Sequence, residues 1–323
     1  MAGRIVDSEF RPPWWLRGGH AQTIFPNTLR RQPATPVEWE VFELPDGDFV
    51  ELAWSGRQDG PIALVLHGLG GDWESPPVRG MARALAADGW RVCRFHFRGC
   101  GRSPNRRLKA YHSGMTEDPL AVVHALAERF VDRPRVAVGF SLGGNVLLRL
   151  LGEEGDALPL DAGVAVSVPL VLARCAQRME SGLSRVYQNV LLKRLRERIR
   201  QREDFLREQL GARYDQAISA RTFEAFDEAF TAPLHGYEGA HDYYNRASSR
   251  PVLRHIARPT LIVHSADDPF MHPDVLPEAH ELSAQVTVEV ARAGGHVGFV
   301  HGTPWAPRYY LEDRVPAWLR DWR

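Results

Sequence analysis

RVAVGFSLGGN, residues 135–145, is the stretch that decides how this chain folds. Arg135 to Phe140 is a short apolar run of buried-strand type, and Asn145 to Leu151 continues at helical spacing. Between them Gly139, Ser141 and Gly143 form G-x-S-x-G. A strand that turns into a helix within so few residues leaves no room for side chains around the serine, and the two glycines meet that need. The start of the helix also leaves free backbone N–H groups beside the serine, suited to a developing negative charge. Ser141 is therefore the candidate nucleophile, and the N–H of Leu142 a candidate oxyanion donor.

Outward from this turn the pattern alternates. Val37 to Phe42 and Phe49 to Trp54 flank a Pro-Asp-Gly turn, a hairpin signal, and Ile62 to Leu66 is a continuous apolar strand. A helix over Val78 to Asp88, a strand over Arg91 to Phe97 and a helix over Asp118 to Phe130 precede the turn, and the strand Ala162 to Val168 follows it. Alternation resumes with the strand Thr260 to His264, a helix after Pro273, the strand Val286 to Ala291 and a last helix from about Tyr309 to Trp322. Such an order requires right-handed crossovers and a mostly parallel sheet.

The gap between the two halves reads as a helical insertion. Leu192, Leu195, Ile199, Leu206 and Leu210 share one helical face. Lys193, Arg194, Arg196, Arg198, Arg200 and Arg202 read as a solvated face, with Glu197, Glu203, Asp204 and Glu208 as partners. Phe223, Phe226 and Phe230 form a second stripe, cap core first and acyl-pocket lining second. Residues 1–36 lack a period and read as an irregular arm packed on the core, with Trp14 and Trp15 as packing anchors rather than a lipid-facing belt. His20 and Gln22 are its candidates for approaching a cleft. The expected division is an arm at 1–36, a core at 37–168 and 256–323, and a helical cap at 169–255.

A serine hydroxyl needs a base, and the base needs an acid to hold its tautomer. After Thr260 to His264 the chain reads Ser265, Ala266, Asp267, Asp268, which sets two carboxylates at the end of a strand, where open α/β sheets bind ligands. Gly294, Gly295 and His296 follow the next strand, making His296 the candidate base. Asp268 is favoured over Asp267 as the acid, since the acid sits one turn beyond the strand and Asp267 is then free to cap the following turn. His67 and His264 read as hydrogen-bonded structural residues. HGLGG, residues 67–71, follows a strand and supplies Leu69 as the second candidate oxyanion donor.

Composition narrows the classes. The 323 residues carry 40 Lys+Arg and 40 Asp+Glu, so a net charge of zero offers no global field for nucleic acid. No G-K-[ST] follows the Gly-rich loop, no HExxH occurs, and Cys93, Cys100 and Cys175 form no C-x-x-C pair, so neither cofactor nor metal is expected. No signal-peptide core and no membrane-length apolar run occurs. A cytoplasmic protein without stable membrane insertion is expected, with peripheral lipid contact and the oligomeric state left open. Its partner would be a small-molecule ester.

The motifs PPWWLRGGHAQT (12–23), HGLGG (67–71), FHFRGCGRSPN (95–105), YHSGMTED (111–118), GFSLGGN (139–145), SADDPFM (265–271) and GGHVGF (294–299) together resemble the YheT-like branch of the α/β-hydrolases, related to ABHD-type esterases and lipases. The likeness spans nearly the whole chain. It implies an α/β-hydrolase fold: a mostly parallel central sheet with helices on both faces and an inserted helical cap. It also implies Ser141 as nucleophile, His296 as base, an aspartate of the 267/268 pair as acid, and hydrolysis of carboxylic esters, acyl esters or lipids. Relatives of this kind act on short-chain esters, acylglycerols and phospholipids, or transfer acyl groups to alcohols. An alcohol acyltransferase using the same acyl-enzyme is one alternative, and a non-catalytic lipid-binding protein with this fold is another. His96 stands before Arg98-Gly99 where many hydrolases carry an acid, a departure that the branch shares, and Arg98 reads as a structural tie.

Overall fold

Ile62–Leu66 and Ala162–Val166 are buried at every position. A strand with both faces apolar must lie inside a sheet that is covered on both sides. The computed structural model describes residues 2–30, 32–33 and 35–323, so Met1, Arg31 and Ala34 of the expected arm lie outside the described residues. Its strands are β1 (Arg4–Asp7), β2 (Glu38–Glu43), β3 (Phe49–Gly56), β4 (Ile62–Leu66), β5 (Arg91–Phe95), β6 (Arg135–Phe140), β7 (Ala162–Val166), β8 (Thr260–Ser265), β9 (Val286–Ala291), β10 (Val300–Thr303) and β11 (Ala306–Tyr309). Nine of them form one sheet in the order β1-β9-β8-β7-β6-β4-β5-β3-β2, while β10 and β11 make a small hairpin. Among the described residues, only β2–β3 and β3–β5 pair antiparallel within the large sheet. The rest is parallel, as the crossovers require.

The pleat sends alternate side chains to opposite faces. Ile62, Leu64 and Leu66 join one apolar cluster with Val146, Leu147 and Leu150 of helix Leu142–Glu154 and Val122 and Leu126 of helix Glu117–Arg129. Ala63 and Val65 face the other cluster, with Val78, Met81 and Leu85 of helix Pro76–Ala87 and Leu311, Val315 and Leu319 of helix Tyr310–Leu319. Between β7 and β8 the chain runs through helices, among them Leu172–Met179, Ser184–Arg200, Glu203–Leu210, Ala212–Ser219 and Ala240–Ala247. These hold their own apolar cluster, which includes Leu192, Ile199, Leu206, Tyr214, Phe226 and Phe230.

Three expectations are corrected. The N-terminal arm contains β1, which extends the sheet beside β9, and a helix, Gly19–Thr28. All four β1 side chains are exposed, so no apolar alternation announces the strand. The helix opens on glycine and holds Pro26, which lacks the N–H that a helix interior uses. Trp14 is 72% exposed and anchors nothing, whereas Trp15 packs edge-on against Phe25 and donates to the Gly302 carbonyl at 2.9 Å. The helix expected after Pro273 is only the short 3₁₀ turn Pro273–Val275. Pro277 forces Leu276 into extended backbone, at φ −65° and ψ 136°, and a longer helix cannot pass it.

Arg98 is tied down as expected. Its guanidinium grips Asp118 with bonds of 2.6 and 2.7 Å and reaches Asp48 at 3.1 Å and Asp46 at 2.8 Å. Arg98 and Asp118 are each 2% exposed at the side chain and Asp48 fully buried. Removing the cation strands two buried carboxylates, so Arg98→Ala is expected to lower unfolding stability by about 3–5 kcal/mol. Urea denaturation measures this, and a loss below about 1 kcal/mol contradicts a structural role for the network.

Candidate active site

Ser141 stands between β6 and helix Leu142–Glu154 with φ 50° and ψ −118°, a conformation costly for any residue with a side chain. Packing on both sides enforces it. A Cβ on Gly139 would run into the Gly143 carbonyl oxygen, and one on Gly143 would lie 2.5 Å from the His67 carbonyl oxygen. Of the described non-glycine residues, those with positive φ are Ser141, Ser167, Val297 and Phe299, all in or beside this site.

The loop after β9 brings His296 Nε2 to 3.0 Å from Ser141 Oγ. The loop after β8 brings Asp268 Oδ2 to 2.8 Å from His296 Nδ1. A carboxylate only accepts, so Nδ1 carries the imidazole proton and Nε2 is left to accept from the serine hydroxyl. Asp268 is itself fixed by the Phe270 N–H, which donates to its other oxygen at 2.8 Å. The Phe270 ring stacks on the imidazole at 4.0 Å. Asp267 points elsewhere: its Oδ1 accepts from Ser265 Oγ at 2.5 Å and from the N–H groups of Gly294 and Gly295 at 2.8 and 2.9 Å. The adjacent carboxylates thus hold different parts of one structure, Asp268 the ring and Asp267 the loop that carries it.

Residues outside the sequence-derived set hold the same loop. Thr23 Oγ1 accepts from the His296 N–H at 2.8 Å, and Ser167 Oγ accepts from Val297 N–H at 3.1 Å. Gln22 does not line the cleft. It is fully buried, donates to the Leu16 and Val300 carbonyls and accepts from Val300 N–H, clamping the loop from behind. His20 pairs its Nδ1 with the Tyr187 hydroxyl at 3.0 Å. Asn145, one turn past Ser141, donates to the Ser113 and Ala247 carbonyls and accepts from Ser249 N–H. Thr23, Ser167 and Asn145 escape a sequence reading because each works through a backbone group far along the chain.

His67 anchors the HGLGG loop. Its Nδ1 donates to the Gly68 carbonyl at 2.8 Å while Nε2 accepts from Phe97 N–H at 3.3 Å, so the neutral ring satisfies both nitrogens. Burial pushes its pKa down to about 3. Leu69 and Leu142 line a cavity of about 880 Å³ together with Ser141 and His296. Leu142 opens its helix, so its N–H has no intrahelical acceptor. Phe223, Phe226 and Phe230 pack within the insertion and line the cavity. Tyr111, His112 and Ser113 line it as well. Arg198 departs from the solvated face assigned to it: it lines the cavity beside Leu191 and Leu195, as Arg194 and Arg202 do one turn to either side. Among the described residues no three His, Cys, Asp or Glu side chains converge as a metal site. No helix among them is long and apolar enough to cross a membrane.

A family profile described as alpha/beta hydrolase fold matches residues 61–303. The chain is 44% identical over 316 residues to an Escherichia coli protein named "Putative esterase YheT", covering 97% of this chain and 93% of that one. It is 27% identical to human "Phospholipase ABHD3", covering 96% and 78%. In structure it resembles the Pyrococcus furiosus esterase Pf2001 with a TM-score of 0.60, 17% identity and 97% coverage of both chains, a likeness of fold.

Asp267→Ala is expected to cost about 1–3 kcal/mol of stability, because two backbone N–H groups of the His296 loop lose their acceptor. Chemical denaturation reads this, and an unchanged midpoint counts against the clamp. Acid should also weaken the fold. Burial lowers His67, His96, His112, His235 and His264 below the ordinary imidazole value of 6.5. Unfolded, they take up protons near that value; folded, they do so only at lower pH, so their stabilisation is complete above it and is lost as pH falls. Asp227, raised by burial to about 6, and Glu312, also raised by burial, act in the opposite sense but are two groups against five. Unfolding free energy is expected to fall from pH 7 to about pH 5, and a flat profile contradicts these assignments.

Proposed function

The chain belongs to the alpha/beta hydrolase fold family, in its YheT-like branch, and on that premise we propose that it is a serine esterase that cleaves carboxylic esters through an acyl-enzyme on Ser141. The observation that carries this reading is the unbroken line from Ser141 Oγ to His296 Nε2 at 3.0 Å and from His296 Nδ1 to Asp268 at 2.8 Å, opening on the cavity.

In the first half-reaction His296 Nε2 takes the hydroxyl proton as Ser141 Oγ bonds to the ester carbonyl carbon. Asp268 keeps the ring in the tautomer that can accept, and stabilises the imidazolium that forms. The carbonyl oxygen becomes an oxyanion, held by the N–H groups of Leu69 and Leu142; one such donor is worth about 3 kcal/mol of barrier. When the C–O bond breaks, His296 passes its proton to the departing alcohol. Water then repeats the sequence: His296 takes its proton, the hydroxide attacks the acyl carbon, and Ser141 leaves with the proton returned. No cofactor or metal enters these steps.

The cavity supports the substrate class. Leu172, Ala176, Met179, Leu195, Phe226 and Phe230 give it an apolar interior fit for an acyl chain. The esterase and phospholipase names of the relatives also favour an acyl ester or lipid over a polar ester.

A p-nitrophenyl ester series from acetate to palmitate, run on wild type and Ser141→Ala, tests the proposal. The mutant is expected to lose at least about a thousandfold in rate, Asp268→Asn about ten-thousandfold, and the wild type to show a chain-length optimum. Equal rates in wild type and Ser141→Ala, or an absence of turnover and of fluorophosphonate labelling, would overturn the serine-esterase reading and put the non-catalytic lipid binder in its place as the leading alternative. An acyl-alcohol product that outgrows free acid when alcohol is added would make it a transferase.

A further inference from the structure

Helix Ser184–Arg200 belongs to the insertion, yet its two ends meet the two halves of the candidate site. At its start Ser184 Oγ donates to the Pro269 carbonyl at 2.6 Å, next to Asp268. One turn on, the Tyr187 ring lies 5.0 Å from Phe270, which in turn stacks on the His296 imidazole. Near its end Arg198 turns inward. Its Nη2 donates to the Gly71 carbonyl at 3.0 Å, and its Nη1 donates to Tyr111 Oη at 3.0 Å and to Cys100 Sγ at 2.9 Å. Residues 184 and 198 are separated by ~21 Å of helix.

Tyr111 Oη also accepts from the Gly70 N–H at 2.8 Å. The Tyr111 ring is set by stacking on Phe97, and burial pushes its phenol pKa up, so it stays protonated. Leu69 is therefore bracketed. On one side His67 holds the Gly68 carbonyl, and on the other Tyr111 holds the Gly70 N–H and Arg198 the Gly71 carbonyl. Such bracketing matters because Gly68, Gly70 and Gly71 have no side chains to restrict them, and Gly70 sits at φ 66°. An oxyanion donor must be in place before the charge develops. Arg198 makes no ion pair with a carboxylate among the described residues, so its charge-assisted bonds go to this loop and its tyrosine.

We propose that Arg198 and Tyr111 are positioning residues that hold the Leu69 N–H at the oxyanion site, so that helix Ser184–Arg200 couples the insertion to the catalytic geometry. The inference rests on the esterase reading above. It assigns the insertion a part in the chemical step besides that of lining a pocket.

Steady-state kinetics on the p-nitrophenyl ester that wild type turns over best, with Arg198→Ala, Arg198→Lys and Tyr111→Phe, test it. In Arg198→Ala and Tyr111→Phe, kcat is expected to fall ~10- to 100-fold while KM stays within about threefold, the sign of a contact that serves the transition state. Guanidinium ion at millimolar concentration is expected to restore part of the Arg198→Ala rate and leave wild type unchanged. Arg198→Lys should rank between, since one ammonium cannot reproduce the planar fork. Tyr111→Phe keeps the stacked ring and loses only the oxygen, so it carries the test if Arg198→Ala does not fold. Wild-type kcat in folded Tyr111→Phe and Arg198→Lys, or a raised KM with unchanged kcat, would overturn the proposal. Fluorophosphonate labelling of wild type separates the two levels: a labelled, active wild type with unaffected variants sinks the positioning role alone, whereas an unlabelled, inactive wild type sinks the esterase reading and the positioning role with it.

Discussion

The reversal at Ser141 is the constraint around which the rest of the molecule is arranged. A side-chain-bearing residue at φ 50° is held there only because β6 is locked among parallel neighbours and the following helix is packed against the sheet. The bond from Ser141 N–H to the Val166 carbonyl, 2.8 Å long, carries the pairing of β6 with β7 into the turn itself. Gly139 and Gly143 cannot be enlarged without displacing backbone, so the turn is rigid on both sides. A hydroxyl so fixed requires its partners to be brought to it.

They arrive from three strand ends. The loops after β4, β8 and β9 all open at the same edge of the sheet as the turn after β6, which is the geometric consequence of parallel strands. Loops are soft, and each one here is stiffened by something distant in sequence. Asp267 and Thr23 fasten the His296 loop, Tyr111 and Arg198 the HGLGG loop, and Ser184 the segment beside Asp268. The N-terminal segment, unpromising by composition, becomes part of this frame because Gln22 and Thr23 fall on the side of its helix that meets residues 296–300.

The insertion repeats the logic with less regularity. Its helices form an apolar cluster of their own, and the same phenylalanine stripe that binds them together lines the cavity. Arg198 shows how a single residue changes meaning with its angular position. Six basic residues lie along the same stretch, but a helix rotates each residue by a fixed step: Arg194, Arg198 and Arg202 recur every four positions in line with Leu191 and Leu195 and line the cavity, while Lys193 and Arg200 are exposed.

Much of this was legible in the chain alone, because the signals are local. Strand and helix periods, the glycines around Ser141, and the order of serine, acid and histidine lie within short windows, and they led to the parallel sheet and to the residues now seen within hydrogen-bonding distance. Local signals also misled where long-range pairing overrides them. β1 exists through the backbone of β9, helix Gly19–Thr28 through its buried glutamine, and the helix expected beyond Pro273 stops at Pro277. The choice between Asp267 and Asp268 illustrates the division. Sequence placed two identical side chains at one strand end, and only the loop geometry turned one toward the imidazole and the other toward the glycine N–H groups. Periodicity and steric demand are properties of neighbouring residues, and a short window contains them; the direction of a side chain in a loop depends on groups in other loops, here 27 and 28 residues away, and exists only once they have met.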